Sequence, residues 1–181
     1  MRNGLTLVVC GAPLAARAAD VAAALVEIGW VVTVAGSPAS RTWLDLDAVE
    51  AVTGGPVVFD NRAANEPRGP RPAAVVACPL TMNSAAKAAT GITDTYAAGV
   101  LVDAMAVGTP LTVVMTVSNR LWTHPAWAQH LQMLVGVSAR FVDAVTGRTG
   151  PPSPVTSGTG SEIVDSFDAV SLAQVVGPPS A

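Results

Sequence analysis

The sequence predicts a single α/β domain in which helices cover a parallel β-sheet in three layers. Short runs of β-branched residues alternate with alanine-rich stretches along the chain, which is typical of such folds. A length of 181 residues suits one domain. Half of the residues are hydrophobic and 13% are charged, so the chain has enough apolar surface to bury a core and is not expected to be disordered.

Six short apolar runs predict the strands in chain order. The first of them is hydrophobic apart from Thr6, as expected of a strand that is covered on both faces. The fourth and fifth are also rich in valine, which favours buried strands. The predicted strands are residues 5–9, 30–35, 56–59, 73–77, 111–115 and 139–142.

The stretches between these runs predict six helices. The turn of Gly11, Ala12 and Pro13 precedes the first helix, and a Gly-Ser-Pro break separates the second strand from the second helix. Gly91 divides the third helix from the fourth. The predicted helices are residues 14–28, 42–52, 84–89, 94–107, 126–135 and 168–176.

Two segments lack a regular pattern. Residues 61–72 contain several prolines and arginines and are predicted to form a loop. Residues 146–160, named the clamp segment below, are poor in large apolar side chains, and composition alone fits a mobile flap over a site as well as a plain linker. The chain therefore divides into an α/β domain at residues 1–145, the clamp segment, and a C-terminal helix and tail at residues 161–181.

Charge and composition exclude several function classes. The net charge is −3 and no basic run occurs, which argues against a nucleic-acid partner. The apolar, uncharged run at residues 104–119 is interrupted by Gly108 and Pro110, so no membrane span or membrane partner is expected, and no signal-peptide cleavage pattern is seen. Cys10 and Cys78 lie in apolar runs and predict free thiols in a reducing cytoplasm. Two histidines are too few to predict a metal site.

In a parallel α/β sheet, ligands bind at the carboxyl ends of the strands, where four loops are predicted to meet. The first loop has a single glycine and lacks the spacing of a dinucleotide fingerprint. The second, residues 37–41, offers hydroxyls and a cation that suit a phosphate monoester, although Ser40 as a helix cap explains it nearly as well. The four loops are residues 10–14, 36–42, 78–84 and 115–125.

The third loop carries the most specific pattern. Residues 79–84 read Pro-Leu-Thr-Met-Asn-Ser and are followed by Lys87, Ala89, Gly91 and Asp94. This spaced set resembles the P-A-S-A-N-T signature, with its continuation x-x-K-x-A-x-G-x-x-D, of the homo-oligomeric flavin-containing cysteine decarboxylases. The chain is most similar to the peptidyl-cysteine decarboxylases of the epidermin and mersacidin type, over essentially its whole length.

A second signature of that family, P-x-M-N-x-x-M-W, is matched loosely by residues 117–122, with one residue fewer between the asparagine and the tryptophan. The resemblance implies a Rossmann-like or flavodoxin-like domain that binds FMN, or FAD, and assembles as a homotrimer or as a dodecamer of four trimers. It also implies oxidation and decarboxylation of the C-terminal cysteine of a ribosomal peptide to an aminoenethiol. The residues that would hold the flavin are Gly11, Ala12, Pro13, Ser37, Ala39, Ser40, Thr81, Met82, Asn83 and Ser84.

The resemblance also assigns the substrate site and exposes two departures from the family pattern. Asn119 would bind the substrate carboxylate. Asn65 stands where the family has its catalytic histidine, and because an amide cannot accept a proton at neutral pH, His124 is the candidate substitute base. Ser157 and Gly158 occupy the place of a Cys-Gly pair that reduces the enethiol in coenzyme A synthesis, so the enethiol would be the product here. A non-catalytic flavin-binding or regulatory subunit and a phosphopantothenoylcysteine decarboxylase are the alternatives.

Overall fold

Five parallel strands form one sheet in this protein. The computed structural model describes residues 3–67 and 69–180. The order β2-β1-β3-β4-β5 is that of doubly wound, flavodoxin-like folds and confirms the predicted fold class. The strands are β1 (Gly4–Val9), β2 (Val31–Gly36), β3 (Ala74–Leu80), β4 (Leu111–Met115) and β5 (Arg140–Val142).

Helices cover both faces of the sheet. Two 3₁₀ turns, Pro13–Arg17 and Pro38–Ser40, follow β1 and β2 directly. The helices are α1 (Ala18–Glu27), α2 (Leu46–Thr53), α3 (Met82–Thr90), α4 (Tyr96–Val107), α5 (Asn119–Trp122), α6 (Trp127–Gly136), α7 (Gly160–Ser166) and α8 (Ala169–Val176).

The core is divided by the sheet into two parts, because successive strand residues point to opposite faces. Leu7 and Val9 of β1 pack in the cluster that includes residues of α1, α2 and α8. Val8 and Cys10 pack in the other cluster, which includes residues of α3, α4 and α6. The molecule is therefore a three-layer α/β/α structure, as the alternating sequence pattern predicted.

Local signals explain where several helices begin and end. The carboxylate of Asp45 accepts from Ala48 N at 3.0 Å, so α2 starts at Leu46 and not at residue 42 as predicted. The hydroxyl of Thr95 accepts from Ala98 N at 3.2 Å and caps α4. Gly91 ends α3 in the left-handed conformation that glycine tolerates best.

The structure corrects the prediction of a strand at residues 56–59. This segment makes a single bridge to the edge of β2, through Val58 N to Val34 O at 2.8 Å and Gly36 N to Val58 O at 2.9 Å. Pro56 has no backbone N–H to continue a ladder, which explains why pairing does not extend. The short helices α5 and α7 were not predicted.

Within the described part of the chain, no helix combines the length and the apolar character that crossing a membrane requires. Both cysteines are buried and free. Burial raises the pKa of the Cys10 thiol in spite of its hydrogen bonds with Ser84 and Thr81, and burial also raises the pKa of Cys78. Both thiols are therefore neutral parts of the core.

Candidate active site

The carboxyl ends of β1, β2, β3 and β4 are tied together by backbone hydrogen bonds. Ser37 N donates to Val9 O at 2.9 Å, which joins the ends of β2 and β1. Cys10 N donates to Pro79 O at 3.1 Å, and Thr116 N donates to Leu80 O at 3.0 Å. The helices that follow β1 and β3 lie on opposite faces, so a crevice forms at this edge, where doubly wound folds bind their ligands.

A cavity of about 410 Å³ opens at this edge, a size typical of small-molecule sites. It lies between the loop after β1, the loop after β4 and the segment that leads into α7. Of the residues that the structure describes, none that lines it is ionisable. Its lining consists of Ala12, Pro13, Leu14, Thr116, Ser118, Val155, Thr156, Ser157, Gly158, Gly160, Ser161 and Ile163.

The clamp segment forms one wall of the cavity because it is hydrogen-bonded to the loop after β4. Val155 N donates to Val117 O at 2.9 Å, and Asn119 N donates to Val155 O at 2.8 Å. Ser157 N donates to the side-chain oxygen Oδ1 of Asn119 at 3.2 Å. The structure thus brings together Asn119, Ser157 and Gly158, the three residues predicted to bind substrate.

The end of the cavity next to α7 is closed by tight packing. A Cβ atom on Gly160 would lie 2.7 Å from Pro13 Cγ, so only glycine allows this approach. Arg17 Nη1 donates to Val164 O at 2.6 Å and fastens α7 to the 3₁₀ turn after β1. The chain segment after the clamp is therefore part of the same site as the first loop.

Two buried hydroxyls at this edge have no hydrogen-bond partner within the described residues. They are Oγ of Ser37, in the loop after β2, and Oγ1 of Thr116, in the cavity wall. Buried polar groups are nearly always paired, so an unpartnered hydroxyl at a cavity indicates a polar ligand. These two hydroxyls are therefore candidate hydrogen-bond partners for a bound cofactor.

The loop after β2 contacts the loop after β1 closely. A Cβ atom on Gly11 would lie 2.6 Å from the Ala39 carbonyl oxygen, so this contact requires glycine. Ser40 is fully buried and its hydroxyl donates to Ser37 O at 2.7 Å, so it holds the turn that presents Ser37. Ala39 is exposed.

The loop after β3 lies at the same edge but outside the cavity. Thr81 occupies the N-cap position of α3 without a side-chain capping hydrogen bond. Met82 and Asn83 lie in the first turn of the helix, and Ser84 is buried beside the Cys10 thiol. Farther along this motif, Lys87 Nζ donates to Asp94 Oδ2 at 2.8 Å. This lysine and aspartate, both members of the spaced pattern, brace the connection between α3 and α4.

Neither predicted acid–base residue lies in the cavity. Asn65 is exposed in the turn that follows Arg62. His124 is exposed as well, and its Nδ1 accepts from Ala126 N at 3.2 Å, so the ring caps the turn that leads into α6. In this chain alone, no ionisable side chain among the described residues faces the cavity.

Sequence reasoning missed several of the cavity residues. Thr116 could have been predicted, because it follows β4 directly and lies in one of the four loops expected at the carboxyl ends of the strands. The contribution of α7, through Gly160, Ser161 and Ile163, carried no such signal, because this helix begins at the end of the clamp segment and was not predicted.

Comparison with protein families finds a match to one family model. The model describes the Flavoprotein family and matches residues 2–168 of this chain. Comparison with curated proteins finds no match.

Comparison with solved structures finds many proteins of the same fold. The FMN-dependent cysteine decarboxylase SpaF is 24% identical with a TM-score of 0.64, and 94% of this chain and 96% of that chain are covered. HAL3 from Cryptococcus neoformans is 22% identical with a TM-score of 0.67, and 90% and 92% are covered. A mutant PPC decarboxylase complexed with pantothenoylaminoethenethiol is 19% identical with a TM-score of 0.66, and 78% and 82% are covered. At these identities the likeness shows the fold.

Proposed function

Because this chain belongs to the Flavoprotein family, we propose that it is an FMN-dependent decarboxylase that acts on the C-terminal cysteine of a peptide. The family match covers most of the chain and supports a bound flavin, as the resemblance implied. The solved structures of the same fold include FMN-dependent cysteine decarboxylases. The finer assignment, a ribosomal peptide converted to an aminoenethiol, is our proposal.

The residues at the carboxyl edge of the sheet fit a flavin. The unpartnered hydroxyls of Ser37 and Thr116 are suited to the polar atoms of FMN, and the loops that carry them are the places where doubly wound folds hold nucleotides. Bound FMN would supply the two-electron acceptor that oxidative decarboxylation of a cysteine requires. Gly11 and Ser40 would also shape the site, because Gly11 allows the close approach of Ala39 and the Ser40 hydroxyl donates to Ser37 O.

The observation that carries the proposal is the hydrogen bond between Asn119 and the clamp segment. Its Oδ1 is engaged by Ser157 N, so the two N–H donors of Nδ2 are left for another acceptor. A peptide carboxylate is such an acceptor, and Asn119 would orient it next to the cavity wall. Leu14, Val155 and Ile163 would exclude water from the bound cysteine.

The direct test is incubation of the FMN-loaded protein with peptides that end in cysteine. We expect a product that has lost CO₂ and two hydrogen atoms, detected by mass spectrometry. The same peptides with an amidated C-terminus or a terminal serine are the matched controls and should stay unchanged. Phosphopantothenoylcysteine is tested in parallel as an alternative substrate. If it is consumed and the peptides are not, the protein is a phosphopantothenoylcysteine decarboxylase.

A second candidate function is a flavin-binding subunit without catalysis of its own. It is favoured by the absence of an ionisable side chain among the described residues that line the cavity and by the amide at position 65. An Asn65→His variant distinguishes the two functions. If neither the wild type nor this variant acts on any cysteine-terminated substrate while both bind FMN, the non-catalytic function is supported.

We also propose that copies of this chain assemble as a homotrimer or as four trimers in the cytoplasm. Several large apolar side chains are half exposed, among them Leu121 at 52% and Met133 at 54%, and such side chains are suited to burial between copies. The two free cysteines are in keeping with a reducing compartment. Light scattering on the FMN-loaded protein should give a trimer or larger mass, and a monomer mass would contradict the assembly.

A further inference from the structure

A carboxylate next to the sheet holds the first part of the clamp segment. Asp143 follows β5 directly, and β5 pairs with β4 through Val142 and Val114. The Asp143 carboxylate is therefore carried by the rigid part of the molecule. It lies outside the cavity lining, so any effect on the site must pass through its hydrogen-bond partners.

This carboxylate binds both ends of the first part of the clamp segment. Oδ1 accepts from Val145 N at 3.0 Å, from Thr146 N at 2.7 Å and from Thr146 Oγ1 at 2.9 Å. Oδ2 accepts from Ser153 Oγ at 3.1 Å. Partial burial opposes ionisation of Asp143, but the hydrogen bonds from Thr146, Val145 and Ser153 outweigh it and hold the pKa of this carboxyl below its usual value.

Asp143 and the neighbouring residues of β5 hold this part of the chain. Residues 148–151 are exposed, so burial of apolar side chains contributes little to their position. The backbone adds two hydrogen bonds at Asp143, from Asp143 N to Arg148 O at 2.9 Å and from Gly147 N to Asp143 O at 3.0 Å. A third, from Gly150 N to Phe141 O at 3.2 Å, accompanies the bridge between Val142 and Thr149. Asp143 therefore makes most of the hydrogen bonds that hold this turn.

The chain continues from Ser153, which is bound to Asp143, into the cavity wall. Ser153 is followed by Pro154, whose fixed φ angle limits the directions that the chain can take, and then by Val155. Val155, Ser157 and Gly158 line the cavity. A displacement of Ser153 is thus passed on to the wall within two residues.

We propose that Asp143 is a positioning residue that sets the clamp segment over the cavity and thereby determines how tightly the substrate is held. The ordering of the clamp by Asp143 is independent of the reaction, whereas its effect on the substrate rests on the proposed function. Asp143 touches neither substrate nor cofactor and acts through Thr146 and Ser153.

The ordering is tested by hydrogen–deuterium exchange on the FMN-loaded protein. In Asp143→Ala, the amides of residues 145–158 should exchange about tenfold faster, because hydrogen bonds to a charged acceptor are lost. Asp143→Asn should show a smaller effect, because its amide oxygen still accepts from the backbone. Asp168→Ala is the matched control: it removes a carboxylate that caps α8 and should leave the exchange of the clamp unchanged.

The effect on substrate is tested by steady-state kinetics with the same variants. Asp143→Ala should raise KM for a cysteine-terminated peptide about tenfold with a smaller change in kcat, and Asp143→Asn should restore most of the loss. Should Asp143→Ala fail to fold, Ser153→Ala removes one anchor alone and should raise exchange within residues 150–158. Unchanged exchange of the clamp in the folded variants would overturn the proposal, and faster exchange without any turnover would overturn only the proposed function.

Discussion

The side-chain oxygen of Asn119 accepts a hydrogen bond of 3.2 Å from the backbone nitrogen of Ser157, 38 residues farther along the chain. The contact joins the loop after β4 to the clamp segment. It also fixes the orientation of the Asn119 amide, because only one of its two ends can accept a hydrogen bond.

Asn119→Ala should therefore affect both the clamp and the substrate. We expect kcat/KM for a cysteine-terminated peptide to fall roughly ten- to a hundredfold, because a hydrogen bond to a charged group contributes about 1.5–3 kcal/mol. Steady-state kinetics measure the effect. Gln129→Ala, which removes an exposed amide from α6, is the control and should keep wild-type kinetics. Equal kcat/KM in the two variants would exclude the role assigned to Asn119.

Ser37→Ala and Thr116→Val should weaken FMN binding without destabilising the flavin-free protein. Each of these hydroxyls is buried without a partner in the described residues, so its removal breaks no internal hydrogen bond and relieves a desolvation cost. We expect the Kd for FMN to rise about tenfold per hydroxyl, measured by quenching of flavin fluorescence, while the Tm of the flavin-free protein stays the same or rises.

Ser40→Ala provides the contrast. Its hydroxyl donates to Ser37 O at 2.7 Å within the core, so the variant should lose about 1 kcal/mol of stability even without flavin. If Thr116→Val loses as much stability as Ser40→Ala and binds FMN normally, Thr116 has a structural role instead.

Gly11→Ala should destabilise the protein and impair flavin binding together. The added Cβ would lie 2.6 Å from a backbone oxygen of Ala39, which cannot move like the end of a flexible side chain. Overpacking of this kind costs about 1–3 kcal/mol. Gly99→Ala is the control: its Cβ would meet nothing within 4 Å on α4, so stability should rise by roughly 0.5–1 kcal/mol. Urea unfolding of both variants measures these changes in the free energy of unfolding.

The contribution of Asp143 to the stability of the folded protein should decrease in acid. Its pKa is lower in the folded protein than in the unfolded chain, so the carboxylate stabilises the fold above the unfolded value of about 3.9. This stabilisation is lost as the pH falls through the folded pKa, which lies lower still.

The difference in Tm between the wild type and Asp143→Asn should therefore be constant from neutral pH down to about pH 5 and shrink in more acidic buffer. A difference that grows on acidification would contradict the sign. Asp168 also has a lowered pKa, caused mainly by hydrogen bonds from Ser171, so the Asp168→Asn variant separates an effect on α8 from one on the clamp.

Much of the fold could be predicted because it depends on local pattern. The mainly hydrophobic run at residues 5–9 lies within β1, and the valine-rich run at residues 111–115 coincides with β4. Residues 56–59 show the limit of that pattern. They look like a strand in isolation, but Pro56 and the position beside the edge of β2 allow a single bridge only.

The candidate site was predictable only in part. Loops at the carboxyl ends of strands could be identified from the order of elements, which led to the loop of Ser37. Asn119 was identified through the family resemblance. The contact of Gly11 with Ala39 and the approach of Gly160 to Pro13 depend on how distant segments meet. Such contacts leave no periodic trace in a single sequence.

Both edges of the sheet are short or covered, and this limits how copies of the chain can meet. Val58 bridges to β2 at Ala35, while β5 has three residues and bridges to Thr149 through Val142. Proteins can associate through exposed strand edges by extending a common sheet. Association that continues the sheet from one molecule to the next is thereby disfavoured, and the helical faces and the loops are left as the surfaces through which copies can join.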